Sequence, residues 1–553
     1  MGLPFGQISS GRLRLWCGPQ RPGLLAKLLG PDKLAVATGE LLWDGFQRPE
    51  ESSAELLPLL ESVAADRPEA LAAANGCFTA LAWDASVQRL WLAADCIGGR
   101  PLYFSESAGT LCFSTQLEIL LRAGAAPKNF DFGAFLEQAA FCYPLGDLTL
   151  YREIRVLRDS EYLCWTPAGS RRARYFDWSR IQLQPRTLEQ AAQTCADALL
   201  AAVRARTPGP GEPVRVLLSG GLDSRCIAAT LHSLGHPLEA ATLSIDGSLD
   251  TYYARRLAST AGIPLQESPW NPAMTPSLIG WVTRDVLTAA AHPFPAGRIF
   301  SGDGGGETFG FLMMKPEVMA LLAKGLVDQA IAAYIGGHGA SPRLFRKPYR
   351  KQAEIRPRLA MRRALDAWSH LPPQKAFHVF LLTNDLRRHL HDTFEAAPRH
   401  GLDFVVPFYD RRVLHSVLSL APPLELFLGH RLYHEIIRHL PPELFRVPWQ
   451  TYPGHLPCPV ADGEPPPDFL VDQWQLSRRL QRKNGEFFRR RVTKSLLSRR
   501  VPGRAVRIPA LAANILAHKL HLTDSAHWLR TADQLSELFA PDADLLDPEE
   551  TCR

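Results

Sequence analysis

Val214-Arg215-Val216-Leu217-Leu218-Ser219-Gly220-Gly221-Leu222-Asp223-Ser224-Arg225-Cys226-Ile227-Ala228-Ala229-Thr230 carries a strand, a turn and the start of a helix in seventeen residues. The apolar run Val214 to Leu218 reads as a buried parallel strand. Ser219-Gly220-Gly221 then forces a tight turn, and from Cys226 a helical pattern runs to Gly235, placed to cap it. A strand, a glycine turn and a helix N-terminus together bind phosphate, because backbone N–H groups point at the anion and the helix dipole favours it. Asp223 inside that turn would repel a bare phosphate, so the pattern calls for a divalent cation between them. No Gly-Lys-Ser/Thr follows, which excludes a Walker loop.

The stretch resembles the pyrophosphate loop of ATP pyrophosphatases, which split ATP between the α- and β-phosphates and adenylate a carboxylate. The flanking sequence is similar to the asparagine synthetase family over most of the chain to about residue 450. Asn75-Gly76-Cys77-Phe78, Ala94-Asp95-Cys96-Ile97-Gly98-Gly99-Arg100-Pro101-Leu102-Tyr103 and Leu111-Cys112-Phe113-Ser114-Thr115-Gln116 look like that family's glutaminase domain, with Thr38-Gly39-Glu40 where Asn-Gly-Glu often stands. The resemblance implies an α/β protein. An Ntn-type antiparallel β-sandwich layered with helices is expected over 1–180, a doubly wound parallel-sheet ATP pyrophosphatase domain with a mostly helical C-terminal part over 190–520, and a tail over 521–553, disordered from Asp542 onward.

Composition agrees with two domains. A chain of 553 residues exceeds one core. There is no run of 18 apolar residues, no signal-peptide pattern at Met1-Gly2-Leu3-Pro4-Phe5, and no Cys-x-x-Cys among ten cysteines. A reducing cytoplasmic setting is expected, without a membrane span, zinc site or disulfide framework. A net charge of +6 with no recognition motif gives no reason to expect nucleic acid.

Strands are expected at Leu34–Ala37, Cys77–Trp83, Arg89–Ala94, Pro101–Phe104, Thr110–Ser114 and Leu238–Ser244, and helices at Glu55–Ala64, Glu189–Arg206 and Asp250–Gly262. Strands alternating with helices give a parallel sheet whose ligands lie at the strands' carboxyl ends. By resemblance, Leu218 and Leu243 flank an adenosine through their backbone, and Ser219, Gly220, Gly221, Asp223 and Ser224 hold the phosphates of ATP with Mg2+. Plain core packing is the alternative for Leu243.

Ser301-Gly302-Asp303-Gly304-Gly305-Gly306-Glu307-Thr308-Phe309-Gly310 is a second glycine turn with acids, similar to the family's Ser-Gly-x-Gly-x-Asp-Glu loop. Gly302 joins the nucleotide site, and Asp303 falls where a carboxylate can take the proton of an attacking ammonium. Gly306 stands in place of a magnesium-binding aspartate, so Glu307 joins Asp223 as candidate metal ligand. Asp410 is expected to cap a helix beginning at Arg411. Phe427–Arg438 occupies the place of a segment carrying a charge-stabilising lysine. No lysine lies between Gly429 and Arg438, which leaves His430, Arg431 and His434 as candidates, with Arg431 and His434 preferred as catalytic groups. The basic run Arg343–Arg363 reads as a solvated face, or as a surface for an acidic substrate or partner, and Arg478–Arg507 reads as a solvated helix with no nucleic-acid recognition motif beside it.

Glutamine hydrolysis in the family needs a cysteine directly after the initiator methionine, and here that residue is Gly2, with no side chain to act as nucleophile. The resemblance therefore implies an AMP-forming amide ligase whose amine does not come from glutamine. Branches with this loss include β-lactam synthetases and lasso-peptide cyclases. A carboxylate-bearing peptide is the expected substrate, joined into a macrolactam, with a protease or peptide-recognition protein as partner. An amidotransferase using free ammonia, or acting in a polysaccharide or natural-product pathway, and a non-catalytic ATP-binding scaffold are the alternatives.

Overall fold

The computed structural model describes residues 6–15, 24–29, 32–43, 56–209, 211–270, 286–310, 314–336, 340–451, 455–460, 466–471, 473–520, 522 and 527–538. Gly2 and the acidic segment from Asp542 lie outside the described residues.

The N-terminal part holds two antiparallel sheets. One runs in the order Arg155–Val156, Tyr103–Ser107, Thr110–Ser114, Gly6–Ser9, Arg12–Leu15. The other runs Gly169–Arg174, Glu161–Thr166, Arg89–Ala94, Phe78–Asp84, Lys33–Gly39, Leu24–Leu29. Period-two alternation sets the layers. Leu81 and Trp83 face the other sheet and pack with Phe104, Leu111 and Phe113. Ala80 and Ala82 lie on the opposite face, under Leu59, Leu60 and Val63 of the helix Leu57–Ala65. Behind the first sheet, Leu120 of the helix Leu117–Arg122 packs on Tyr103, Cys112 and Val156. The result is the expected sandwich of two sheets between helices. One expected strand is displaced: Pro101–Phe104 gives way to Tyr103–Ser107, because Asp95 organises the turn before it by accepting N–H groups of Ile97, Gly98 and Gly99.

The C-terminal part is built on five parallel strands in the order Leu265–Pro269, Leu238–Ser244, Val214–Leu217, Gly297–Phe300, Leu402–Val405. The chain works outward from Val214–Leu217 in one direction, then returns and works outward in the other. The point of reversal therefore lies between Val214–Leu217 and Gly297–Phe300, where open α/β sheets bind ligands. Both glycine turns leave the sheet there. Thr187 and Gln190 form a reciprocal capping box for the helix Leu188–Arg204. Asp410 accepts the Arg412 N–H at 2.8 Å, capping the helix Arg411–Leu418 as expected. The helix after the first turn begins at Leu222, four residues earlier than the sequence pattern indicates, so Asp223 and Ser224 sit in its first turn.

Residues 316–400 are mostly helical, and the basic run Arg343–Arg363 lies largely on the helix Lys347–Asp366. From the segment read as tail, the helix His527–Leu538 buries Leu529, Ala532 and Leu535 against Phe132, Phe345 and Phe488. Among the described residues every cysteine is free, and no helix is long and apolar enough to cross a membrane.

A buried charge network joins the two parts. Arg206, 1% exposed, donates from Nε to Glu40 at 2.7 Å and from Nη1 to Asp410 at 2.6 Å. Arg298 bonds Glu40 and Arg100 bonds Asp403. Asn75 donates to Asp410 at 3.1 Å. Burial alone would raise the Asp410 pKa, but Arg206 and Arg412 overcome it and hold the carboxyl far below the usual range.

Removing one member of a buried pair leaves the other charge uncompensated, so Arg206→Met should cost about 3–5 kcal/mol in urea unfolding. Arg172→Ala, which breaks a partly exposed pair with Asp147, should cost about 1 kcal/mol or less. Because Asp410 is depressed, its contribution is present above the ordinary carboxylate pKa of about 4 and is lost as pH falls through the native value. The gap between wild type and Arg206→Met should therefore narrow in acid.

Candidate active site

The first turn is tied from both sides. Leu218 donates its N–H to Ala241 O at 2.9 Å, which holds the end of the central strand against its neighbour. Ser219 N–H donates to Ser224 Oγ at 2.9 Å, the two hydroxyls lie 3.0 Å apart, and Gly221 N–H donates to Ser219 Oγ at 3.2 Å. Gly220 N–H donates to Asp250 Oδ1 at 3.0 Å. A Cβ on Gly220 would lie 2.5 Å from the Asp250 carbonyl oxygen, so only glycine fits. Burial pushes the Asp250 carboxyl up to about 6. The two hydroxyls at a helix N-terminus are donors of the kind a phosphate chain needs, while the N–H groups of Ser219, Gly220 and Gly221 are donated within the turn and to Asp250. Leu218 is buried, and Leu243 is half-buried against the same core, paired with Ser268 in the sheet.

The second turn is pressed onto the first. A Cβ on Gly302 would lie 2.3 Å from Ser224 N, and one on Gly305 would lie 2.7 Å from Asp223 Cγ. Asp223 accepts the Gly306 N–H at 3.0 Å on one oxygen and the Tyr433 hydroxyl at 2.7 Å on the other. Burial lifts the Asp223 carboxyl to about 7. Tyr433 and Gly306 oppose the rise, and Glu307 and Asp303 add to it. Gly306 thus contributes a backbone donor to Asp223 where an aspartate would have been a second acceptor. Asp223, Asp303 and Glu307 supply hard carboxylate oxygens, a donor set that fits Mg2+.

Asp303 is only partly buried and bonds His389 Nε2 at 2.6 Å, with Glu307 Oε1 3.9 Å from the same nitrogen. Burial works against a charge on His389, but Asp303 and Glu307 prevail and raise its pKa to about 10. The ring is therefore an imidazolium at neutral pH, and it pairs with Asp303. Asp385, four residues before His389, accepts the Tyr143 hydroxyl at 2.9 Å. Burial raises this carboxyl to about 6, with Glu307 adding to the rise.

Arg431 and His434 lie on the short helix Arg431–Ile436. Arg431 is exposed, and His434 packs its ring edge-on to Trp449 at 5.8 Å. Burial and then Arg438 hold the His434 pKa below its ordinary value, so it is neutral at pH 7. Among the described residues, no hydrogen bond or ion pair links either one to Asp223, Asp303 or Glu307. Tyr433, between them in sequence, is the residue of this helix that reaches the site. His430 stacks on His455 at 3.7 Å. Arg225, next to the turn, donates to the carbonyls of Leu444, Val447 and Pro448, and Gln450 N–H reaches Gly220 O at 3.1 Å.

Sequence reasoning missed Tyr433, Asp250, Asp385 and His389. Asp250 stood at the start of an expected helix and could have been noticed. His389 lies in the basic run Arg387-Arg388-His389, which carries no motif.

Residues 194–505, more than half of the chain, match asparagine synthase, and residues 47–176 match a glutamine amidotransferase domain. The chain belongs to the asparagine synthase family. No curated protein matches it. Among solved structures it is similar to one titled as the allosteric regulatory enzyme of purine biosynthesis, at 10% identity over 51% of this chain and 56% of that one, with a TM-score of 0.19. It is also similar to glutamine phosphoribosylpyrophosphate amidotransferase from B. subtilis complexed with ADP and GMP, at 10% identity over 62% of this chain and 74% of that one, with a TM-score of 0.20. The chain thus spans little more than half the length of the first.

The raised pKa of Asp223 makes a prediction for the metal-free protein. Its stabilising contribution is fully present below about pH 4 and is lost as pH rises through about 7. Asp223→Asn stays neutral throughout. In EDTA, its melting temperature should fall less than the wild type's between about pH 5 and 8, as read by thermal unfolding at each pH.

Proposed function

We propose that this protein is an ATP-dependent, AMP-forming amide ligase that activates a carboxylate of a peptide and closes it onto an amine of the same peptide as a macrolactam. The observation that carries the reading is the seating of two acid-bearing glycine turns against each other at the sheet's switch point, with Asp223 and Asp303 on the two sides of the junction. ATP, when bound, supplies the adenylyl group that makes the carboxylate reactive. Ser219, Gly220, Gly221 and Ser224 bind its phosphates, Gly302 lets the second turn close on them, and Leu218 and Leu243 border the adenosine. Asp223 and Glu307 hold Mg2+. Asp303, held in place by His389, accepts the proton of the attacking ammonium. Arg431 is the permanent cation on its helix and steadies charge on the reacting group, with neutral His434 beside it.

One observation favours an amine carried by the substrate over ammonia from glutamine. Glu40 and Asn75, within the glutaminase-like segments, are committed to the Arg206 and Asp410 network between domains. A peptide suits the exposed face of the helix Lys347–Asp366, where Lys351, Arg358 and Arg363 stand beside Ile355 and Leu359. A cytoplasmic setting and a dedicated protease or peptide-recognition partner complete the proposal.

ATP–pyrophosphate exchange with short peptides bearing a free N-terminus and an Asp or Glu side chain tests it. Exchange should appear only with peptide present and should vanish in Asp223→Ala. Asp303→Asn should retain exchange while slowing cyclisation, read as loss of one water from the peptide mass, by about 10²–10⁴-fold. Absence of exchange with every carboxylate tried would leave an ATP-binding scaffold.

A further inference from the structure

Asp303, Glu307 and His389 meet from two separate elements. Asp303 and Glu307 are four residues apart on the second turn, and His389 ends the short helix Arg387–His389. One ligand atom from each lies within 4.8 Å of the others. The pairwise spacing from His389 Nε2 is 2.6 Å to Asp303 Oδ1 and 3.9 Å to Glu307 Oε1. A divalent ion with bonds of about 2.0–2.2 Å holds neighbouring ligand atoms roughly 3–4 Å apart, so small side-chain shifts convert this cluster into one face of a coordination sphere. Asp303 and Glu307 are half-buried and the His389 side chain is 33% exposed, which leaves an approach from solvent.

Two further features belong to the same place. Glu307 lies in the π-helical turn Gly306–Gly310, and Asp385 lies in a second one, Leu381–Leu386, leading to His389. Such wide turns are rare and concentrate at functional sites. Negative charge is also in excess here. Asp385 faces Glu307, and Asp223 faces both Glu307 and Asp303, while His389 is the cation that Asp303 and Glu307 share. Three carboxylates, Asp303, Glu307 and Asp385, act on the one imidazole of His389.

We propose that Asp303, Glu307 and His389 form a second divalent-metal site, with one nitrogen and two oxygen ligands, that selects a borderline ion such as Zn2+ or Co2+ over Mg2+. Imidazole is a poor ligand for Mg2+, which demands oxygen and keeps its water, whereas Zn2+ and Co2+ take mixed nitrogen and oxygen sets. The ion replaces the proton that His389 and Asp303 share, and that proton leaves to solvent from the exposed side. The ion occupies Asp303 Oδ1, the oxygen that now bonds His389. The site needs no nucleotide; it shares Glu307 with the proposed Mg2+ site and Asp303 with the proposed base, and His389 is the ligand that is its own.

The test uses the untagged full-length protein, without nucleotide, titrated with ZnCl2, CoCl2 and MgCl2 by calorimetry, with Co2+ also followed by its visible absorption. One Zn2+ or Co2+ should bind per chain, about tenfold or more tighter than Mg2+, and the Co2+ spectrum should carry a nitrogen ligand. His389→Ala and, separately, Glu307→Gln should each weaken that binding by about tenfold or more, while His370→Ala, an exposed histidine elsewhere, should not. Thermal unfolding confirms that each variant is folded. Undiminished Zn2+ and Co2+ affinity in both folded variants, or Mg2+ bound as tightly as Zn2+, would overturn the site. Because no ATP enters the assay, loss of this site and failure of the ligase reading are separate results.

Discussion

Gly302 and Gly305 have no side chains because there is no room for any: added Cβ atoms would strike Ser224 N and Asp223 Cγ. The rest of the site depends on that contact. The central strand and its neighbour end side by side, their turns abut backbone to backbone, and Asp223 is enclosed between Gly306 N–H and the Tyr433 hydroxyl. A larger residue at either glycine would part the turns and move Asp223 away from Asp303 and Glu307, the groups whose charge it feels.

Enclosure has an electrostatic consequence. Asp223, Asp250 and Asp385 are all raised by burial, to about 7, 6 and 6. Carboxylates gathered in a low-dielectric place resist ionising together, and a cation relieves the repulsion. An acidic centre of this kind is a poor place for a bare anion and a good one for a nucleotide accompanied by metal. His389 supplies part of the compensation from within the chain.

The N-terminal sandwich takes part in this centre although it contributes neither glycine turn. Tyr143 holds Asp385, and Arg387 donates to the carbonyls of Gly146 and Leu157 just before His389. The segment that carries His389 is therefore fixed by the sandwich, and the sandwich is fixed by the Glu40, Arg206 and Asp410 network. Buried ion pairs are costly to form and more costly to break, so the network makes the relative placement of the two parts a condition of folding.

Local pattern made much of this protein legible in its sequence. The strand Leu238–Ser244, the cap at Asp410 and the strand-turn-helix around Ser219 follow from apolar runs, turn residues and capping chemistry, which act over a few positions. The start of the helix at Leu222 did not, because Leu222-Asp223-Ser224 carries no helical periodicity and the turn's own hydrogen bonds set its beginning. Tyr433, Asp385 and His389 were hidden for a different reason. Each reaches the site from far along the chain, and a side chain's partner across such a distance is chosen by packing. The sequence by its local pattern located the two glycine turns and the carboxylates on them. Only the tertiary structure decided that Tyr433 rather than Arg431 or His434 touches Asp223, and that Asp303 faces an imidazole, because strand order and the fit of helices against it bring those groups within bonding distance.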